Sequence, residues 1–138
     1  MTRNPKELPI GYQVIGRKMF CHYYIYKLVN LDNGKVYIGS TSRPQRRAVS
    51  HFYGIKYHRH PNRLVNADSY CEFAIEIVDE APSPRKMAKM EAEYIKLYRS
   101  YDERYGYNAL DHKAQNFRKE AGLPYRKYPI RKPKKEEQ

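Results

Sequence analysis

The order of apolar and polar positions divides the chain into short strands and amphipathic helices. Residues 23–30 are aromatic and β-branched, which predicts a strand, and residues 35–39 predict the strand that returns beside it. Asn33-Gly34 lies between them and supplies the positive φ angles that a hairpin turn requires. Residues 70–78 alternate apolar with polar side chains and predict a third, half-buried strand. The pattern therefore predicts a small sheet built on a tight hairpin.

A first helix is predicted directly after the hairpin. Ser42 is a good N-cap residue, Gln45 completes a capping box with it, and Gly54 can end the helix. Arg47 and His51 are four positions apart, so they lie on one face of this helix, one turn apart. The hairpin tyrosines, an arginine and a histidine are therefore expected close together.

A second long helix is predicted after Ser83, which can cap it with Pro84 in its first turn. Its apolar stripe is formed by Met87, Met90, Tyr94, Ile95 and Tyr98. Glu91 falls inside this stripe when the residues are spaced at ~100° around the helix. A carboxylate among core-facing positions is costly unless it is paired or binds a cation. Two alternatives follow for Glu91: a structural partner such as an arginine or a tyrosine hydroxyl, or a metal ion.

These elements divide the chain into three regions. Residues 1–22 contain prolines and glycines and predict a basic N-terminal arm. Residues 23–110 contain the strands and helices and predict one small domain of class α+β, with a further short helix over residues 62–67. Residues 111–138 are rich in Lys and Arg and poor in apolar side chains, which predicts a basic tail that is flexible or becomes ordered on a partner.

Charge indicates the kind of partner. The 138 residues include 27 Lys and Arg against 15 Asp and Glu, a net charge of +12, and the pI is about 9.7. A chain this basic usually binds a polyanion, and nucleic acid is the first candidate because Lys and Arg neutralise phosphates. A merely solubilising charge is the alternative.

Cysteine content and hydropathy exclude other classes. Cys21 and Cys71 are too few for a disulfide framework or a four-ligand zinc site, and Cys21-His22 could form only half of a metal site. We find no secretory segment and no apolar run of the ~18 residues that a membrane span needs. We therefore expect a soluble intracellular protein without a membrane partner, cytoplasmic or, in a eukaryote, nuclear.

Two tripeptides on the predicted hairpin carry a family resemblance. Residues 24–26 read Tyr-Ile-Tyr and residues 37–39 read Tyr-Ile-Gly. With the arginine, histidine, glutamate and asparagine that follow in order, they resemble the motifs of the GIY-YIG nuclease family, most of all its phage and intron homing members. Tyr24 departs from the family pattern, which has glycine there. The resemblance covers residues 23–110 and implies a central three-stranded antiparallel sheet flanked by helices.

The resemblance also implies one catalytic site. Its residues in this chain would be Tyr26, Tyr37, Arg47, His51, Glu91 and Asn108. Glu91 would hold Mg²⁺ or Mn²⁺, which with one protein carboxylate keeps several waters. Arg47 would contact the scissile phosphate, for which its planar, permanently charged fork is suited.

The remaining positions would act on the attacking water. Tyr26 is the candidate base, His51 could relay its proton, and Tyr37 would position water or phosphate. Asn108 would orient the phosphate or brace the site. Each also has a structural alternative, because 15 tyrosines occur in the chain and Asn is a common turn former.

Basic residues around the site and in the tail are candidates for contact with nucleic acid. They are Arg43, Arg46, His60, Lys132, Lys134 and Lys135. His60 lies in a polar loop that could face DNA, and a solvated loop is an equal alternative. Surface arginines such as Arg43 and Arg46 are also common in this chain.

Two functions are compatible with these features. The first is a metal-dependent endonuclease that hydrolyses DNA by water attack, which we rank above covalent attack by a tyrosine; single-stranded DNA or RNA are further substrate options. The second is a non-catalytic DNA- or RNA-binding module that keeps the nuclease fold. The presence of all six site positions favours the first.

Overall fold

The computed structural model describes residues 12–13 and 23–126. In chain order, they form β1 (Tyr12–Gln13), β2 (Tyr23–Asn30), β3 (Val36–Thr41), α1 (Pro44–Lys56), α2 (Arg63–Ala67), β4 (Phe73–Ala81), α3 (Pro84–Tyr98) and α4 (Ala114–Glu120). The expectations for Cys21-His22 and for Lys132, Lys134 and Lys135 lie outside the described residues. Within the described ranges, no helix has both the length and the apolar character to cross a membrane.

The strands form one sheet of order β1-β4-β2-β3. β2 lies inside it and pairs antiparallel with both β3 and β4. The predicted α+β fold, with a three-stranded antiparallel sheet flanked by helices, is thus confirmed. β1 adds a short parallel pairing to β4, with Tyr12 opposite Ile75. On the outer side of β3, Gly106 forms an isolated bridge with Val36, so the loop after α3 runs along this edge.

The hairpin turn between β2 and β3 is confirmed as predicted. Gly34 has a φ of +80°, a conformation that a side chain would strain. The buried side chain of Asn30 supports the turn, because its Oδ1 accepts the N–H groups of Asp32 (2.8 Å) and Asn33 (3.3 Å). The turn is therefore stabilised by a buried side chain as well as by the conformational preference of Asn33-Gly34.

The boundaries of α1 differ from those predicted. Arg43, not Ser42, is the N-cap residue, and its N–H bonds to Thr41 Oγ1 (2.9 Å) without any side-chain cap on the helix. The helix also continues past Gly54, where a Cβ atom would lie 3.1 Å from the Cα of His60. Gly54 thus permits close packing of the following loop and does not end the helix. The predicted capping box and helix end were wrong.

The other predicted elements are present. Asn62 caps α2 through hydrogen bonds from the N–H groups of Leu64 and Val65. Ser83 caps α3 as predicted and accepts the N–H of Lys86 at 3.2 Å. β4 begins at Phe73, later than its alternation predicts, and extends to Ala81.

The helices cover both faces of the sheet. α1 and α2 pack against the face that carries Tyr26 and Leu28, and α3 packs against the face that carries Ile25 and Ile38. This arrangement follows from the alternation of side chains along β2 and β3. It places α1 and α3 on opposite sides of the outer strand β3.

Part of the predicted tail folds as α4. Arg118 is only 2% exposed. Its Nη1 donates to the carbonyl of Tyr101 (2.7 Å) and to Glu103 (2.6 Å), and its Nε donates to the carbonyl of Pro124 (3.0 Å). The expectation of flexible chain was wrong for residues 114–120, because the carbonyls of Tyr101 and Pro124 and the half-buried carboxylate of Glu103 bind the buried guanidinium of Arg118.

Candidate active site

A chain of hydrogen bonds joins β2 to α1 and the following loop. The hydroxyl of Tyr26 lies 2.7 Å from Nε2 of His51, and Nδ1 of His51 lies 2.7 Å from Nε2 of His60. The two imidazole planes differ by 15° and their centroids are 4.9 Å apart, as expected for rings joined edge to edge through their nitrogens. All three side chains are buried.

The backbone N–H of Asn62 fixes which atom donates and which accepts in each of these hydrogen bonds. It donates to Nδ1 of His60 at 3.0 Å, so the proton of a neutral His60 lies on Nε2. His60 then donates to His51, which in turn donates from Nε2 to the oxygen of Tyr26. Burial lowers the pKa of His51 to about 3 and that of His60 to about 4, so each ring carries one proton at neutral pH.

Tyr26 and Tyr37 present two phenols beside His51. The ring centroids of the tyrosines are 6.4 Å apart, and that of Tyr37 lies 5.7 Å from His51. Burial raises the pKa of Tyr26 to about 12, while Arg47, which hydrogen-bonds its hydroxyl, acts in the opposite direction. Burial also raises the pKa of Tyr37 well above its usual value. The exposed Arg47 thus links a buried phenol to solvent.

Glu91 lies on the other face of the sheet, on α3. Its carboxylate is buried, as its place in the apolar stripe predicts. Ser40 donates a short hydrogen bond to Oε1, and Lys113 Nζ lies 2.7 Å from Oε2. The carboxylate is therefore paired inside the protein, with a hydroxyl and a cation as partners.

Asn108 binds the backbone of β3. Its Oδ1 accepts the N–H of Ile38 (2.8 Å), and its Nδ2 donates to the carbonyl of Ile38 (2.9 Å) and to Asp111 (2.6 Å). The residue is fully buried. Of its two predicted roles, this geometry suits bracing, because the amide occupies the hydrogen-bonding groups on the outer edge of β3.

β3 connects the two halves of the site. Tyr37 and Gly39 point to the α1 face, whereas Ile38 and Ser40 point to the α3 face. The charge of Glu91 nevertheless acts on both tyrosines across the sheet, because it adds to the effect of burial in raising their pKa values. The phenols, the guanidinium and the carboxylate therefore surround one outer strand.

An open cleft of about 400 Å³ lies at this end of β3. Its lining includes Arg43, Arg46 and Arg47 together with Ser40, the partner of Glu91. Arg43 and Arg46 are exposed, as a nucleic-acid contact requires. Three guanidinium groups beside a buried carboxylate suit the binding of a phosphate backbone.

Comparisons with known proteins identify the family of this domain. The family described as the GIY-YIG catalytic domain matches residues 22–108. The chain belongs to the GIY-YIG family. The expectation that it is an endonuclease of GIY-YIG type is confirmed by this membership. No curated protein matches the chain.

Two solved structures resemble this GIY-YIG chain. The first is a mutant of the catalytic domain of the intron endonuclease I-TevI, with a TM-score of 0.57 and 26% identity, covering 64% of this chain and 94% of that one. The second is the catalytic domain of the homing endonuclease I-TevI, with a TM-score of 0.55 and 24% identity, covering 61% of this chain and 96% of that one. The second likeness shows the fold alone.

The residues of this GIY-YIG site fit a divalent metal at Glu91. The donors there are hard oxygen atoms, from Glu91 with Ser40 beside it. Burial raises the pKa of Asp111 and the nearby charge of Glu91 adds to this, so a second carboxylate lies in the same region. Within residues 12–13 and 23–126, no three His, Cys, Asp or Glu side chains form a metal-binding group. The donor set therefore suits an ion that retains water, such as Mg²⁺, and not a site closed by protein ligands.

The sequence patterns did not predict the positions of some site residues. The sequence places His60 in a polar loop that could face DNA or solvent, but the structure buries it against His51, where the Asn62 amide and Gly54 hold it. Lys113 was counted only as part of a basic tail. No local pattern marks it, because its partner lies on a distant helix. Tyr24, at the family's glycine position, is partly buried against the core on the α1 side.

Proposed function

We propose that this chain is a divalent-metal-dependent endonuclease that hydrolyses phosphodiester bonds of DNA by direct attack of water. The observation that carries the proposal is the hydroxyl of Tyr26. On one side of β3 this hydroxyl hydrogen-bonds Arg47 and also His51, which is itself bonded to His60. The carboxylate of Glu91 lies on the other side of β3. A phenol, a guanidinium and a carboxylate around one cleft supply a base, a phosphate ligand and a metal ligand.

Tyr26 acts as the base in its phenolate form. His51 donates a hydrogen bond to its oxygen and Arg47 places a positive charge beside it, and both contacts stabilise the phenolate. In this arrangement His51 is a donor to Tyr26 and not the acceptor of its proton, which revises the relay suggested by the sequence. The phenolate then takes a proton from the attacking water.

Arg47 binds the scissile phosphate, for which its exposure and its place in the cleft are suited. Glu91 would hold the metal, which when bound supplies charge neutralisation at the phosphate and the leaving oxygen. Tyr37 positions water or phosphate next to Tyr26, and Asn108 keeps β3 in place.

The remaining contacts with DNA come from basic side chains outside the reacting centre. Arg43 and Arg46 bind phosphates next to the one that is cleaved, since they share the cleft with Arg47. Further contacts with DNA are still predicted beyond residue 126, from Lys132, Lys134 and Lys135.

Cleavage of supercoiled plasmid tests this function. The full chain should convert it to nicked or linear DNA with Mg²⁺ and should leave it intact with a chelator. Arg47→Ala and Glu91→Gln should lose roughly 10²–10³-fold in rate. The exposed Glu93 on the same helix gives a matched control, Glu93→Gln, which should cleave normally. Salt-sensitive DNA binding with no cleavage by any divalent ion would instead support the non-catalytic alternative.

A further inference from the structure

Lys113 forms an ion pair with Glu91, the carboxylate that the proposed function assigns to the metal. Its Nζ lies 2.7 Å from Oε2 of Glu91. The Glu91 side chain is 9% exposed, whereas that of Lys113 is 45% exposed, so the ammonium reaches a buried anion from the surface. Lys113 lies after residue 108, the end of the match to the GIY-YIG domain. A segment beyond the family domain thus contributes a cation to its site.

The backbone around Lys113 is firmly held. The side chain of Gln115 donates to the carbonyls of Ala109 and Asp111, both at 2.9 Å. Ala114 is fully buried, and Arg118 fastens α4 through its buried guanidinium. Lys113 is therefore presented to Glu91 by folded structure on both sides of it in the chain.

The two partners of Glu91 respond differently to a metal ion. Ser40 is neutral, and its hydroxyl can keep its bond to a carboxylate that also binds a cation. Lys113 carries a full positive charge on the second oxygen, so a divalent cation arriving there meets both repulsion and an occupied ligand atom. The exposed stem of Lys113 allows the ammonium to move into solvent, which the buried carboxylate cannot do.

We propose that Lys113 competes with the divalent metal for Glu91, so that the metal must displace its ammonium and Lys113 sets the metal concentration at which the site fills. The proposal rests on the assignment of Glu91 as metal ligand. Lys113 then determines how the cleavage rate depends on metal concentration, although it does not contact the phosphate.

Direct metal binding tests the competition without DNA and without cleavage. Free Mn²⁺ is measured by electron paramagnetic resonance during titration of the full chain and its variants. Lys113→Met removes the charge and keeps most of the stem, and it should tighten Mn²⁺ binding roughly tenfold. Lys113→Arg keeps the competing charge and should bind like the original chain. The exposed Lys119 on α4 gives the matched control, Lys119→Met, which should change nothing.

A second measurement uses the unaltered chain. The ammonium ¹H–¹⁵N signals of its lysines are recorded by NMR at low temperature, where the hydrogen-bonded Lys113 should give a slowly exchanging signal that vanishes in Lys113→Met. Saturating Mg²⁺ should remove the same signal. If the signal persists at saturation, Lys113 is not displaced and the proposal is overturned.

Glu91→Gln separates the two proposals. If this variant binds Mn²⁺ as the original chain does, Glu91 is not the ligand, and the proposed function fails together with the competition. If Glu91→Gln loses Mn²⁺ binding but Lys113→Met does not tighten it, only the competition is overturned.

Discussion

Gly39 lies directly against the ring of Tyr26. The two residues are opposite each other in the pairing of β2 with β3. A Cβ atom at Gly39 would overlap the hydroxyl and the ring of Tyr26, closer than side-chain carbons approach any neighbour. The final glycine of the second motif therefore makes room for the final tyrosine of the first, and the two motifs form one packing unit.

Gly39→Ala should consequently displace Tyr26. The added methyl group pushes the phenol away from His51, and the buried core on this face leaves little space for it to move. We expect a loss of about 1–3 kcal/mol in the free energy of unfolding. The cleavage rate should fall further than this stability loss explains, by roughly 10²-fold. Urea denaturation and single-turnover cleavage measure the two effects on the same sample.

The hairpin glycine provides the control for this substitution. Gly34 has a φ of +80°, and a Cβ atom added there would have no neighbour within 4 Å, so Gly34→Asn adds a side chain without a clash. Asparagine tolerates this left-handed conformation better than most residues. Gly34→Asn should cleave normally, and wild-type cleavage by Gly39→Ala would show that the Tyr26 hydroxyl does not need its observed position.

Local pattern predicts those parts of the site that depend on nearby residues. Asn33-Gly34 fixes the hairpin, and the hairpin register brings Tyr26 opposite Gly39. The helical period places Glu91 among apolar neighbours, and the structure buries it there. In both cases the spacing of a few consecutive residues contains the necessary information.

Parts that depend on distant partners were not predictable in this way. Lys113 and Arg118 look like solvated tail charges, because nothing near them in the chain reveals Glu91 or the carbonyl of Tyr101. His60 looks like a loop residue, since its burial depends on close packing against Gly54. A charged or polar side chain becomes a site residue through the partner that the fold brings to it.

The proposed phenolate predicts a rate that rises with pH. Burial raises the pKa of Tyr26 to about 12, so near neutral pH only a small fraction is ionised, and that fraction grows tenfold per pH unit. We expect the logarithm of the single-turnover rate at saturating metal to rise with a slope of about one between pH 6 and pH 9. Tyr26→Phe should lower the rate roughly 10²–10⁴-fold and abolish this slope.

Tyr37→Phe is the companion variant for the pH profile. It keeps the ring that packs against His51 and removes only the second hydroxyl. The slope should survive in Tyr37→Phe if Tyr26 is the base. A slope that disappears in Tyr37→Phe and persists in Tyr26→Phe would exchange the two assignments.

The paired histidines should make the fold sensitive to acid. Burial lowers the pKa of His51 from 6.5 to about 3 and that of His60 from 6.5 to about 4. The unfolded chain therefore binds more protons in this range, so the contribution to stability is complete above pH 6.5 and is lost as the pH falls toward these values. The free energy of unfolding should drop by about 5 kcal/mol between pH 7 and pH 4.5, as urea denaturation can measure.

Replacing one histidine checks the source of this acid sensitivity. His60→Gln can still hydrogen-bond His51 but no longer titrates, so the pH dependence of its unfolding should weaken by about one proton. An unchanged dependence would mean that carboxylates, and not the buried histidines, cause the acid loss.

The direction of the histidine chain can be tested at the amide of Asn62. Asn62 has a φ of −80°, which suits proline at about −65°. Asn62→Pro removes the N–H that holds the proton of His60 on Nε2, whereas Asn62→Ala removes the side-chain cap and keeps that N–H. Both variants should lose about 1–2 kcal/mol of stability with the cap. Only Asn62→Pro should free the tautomer of His60, which ¹⁵N NMR of the imidazole nitrogens reports directly.

A free His60 tautomer should also weaken the hydrogen bond that His51 donates to Tyr26. Once Nδ1 of His60 can carry the proton, His51 no longer has to donate from Nε2, and the phenolate of Tyr26 loses a hydrogen bond for part of the time. We expect Asn62→Pro to cleave roughly tenfold more slowly than Asn62→Ala, because a hydrogen bond to a charged group contributes about 1.5–3 kcal/mol. If both variants keep the same tautomer and the same rate, the Asn62 amide does not orient the chain, and His51 is free to accept the proton of Tyr26 after all.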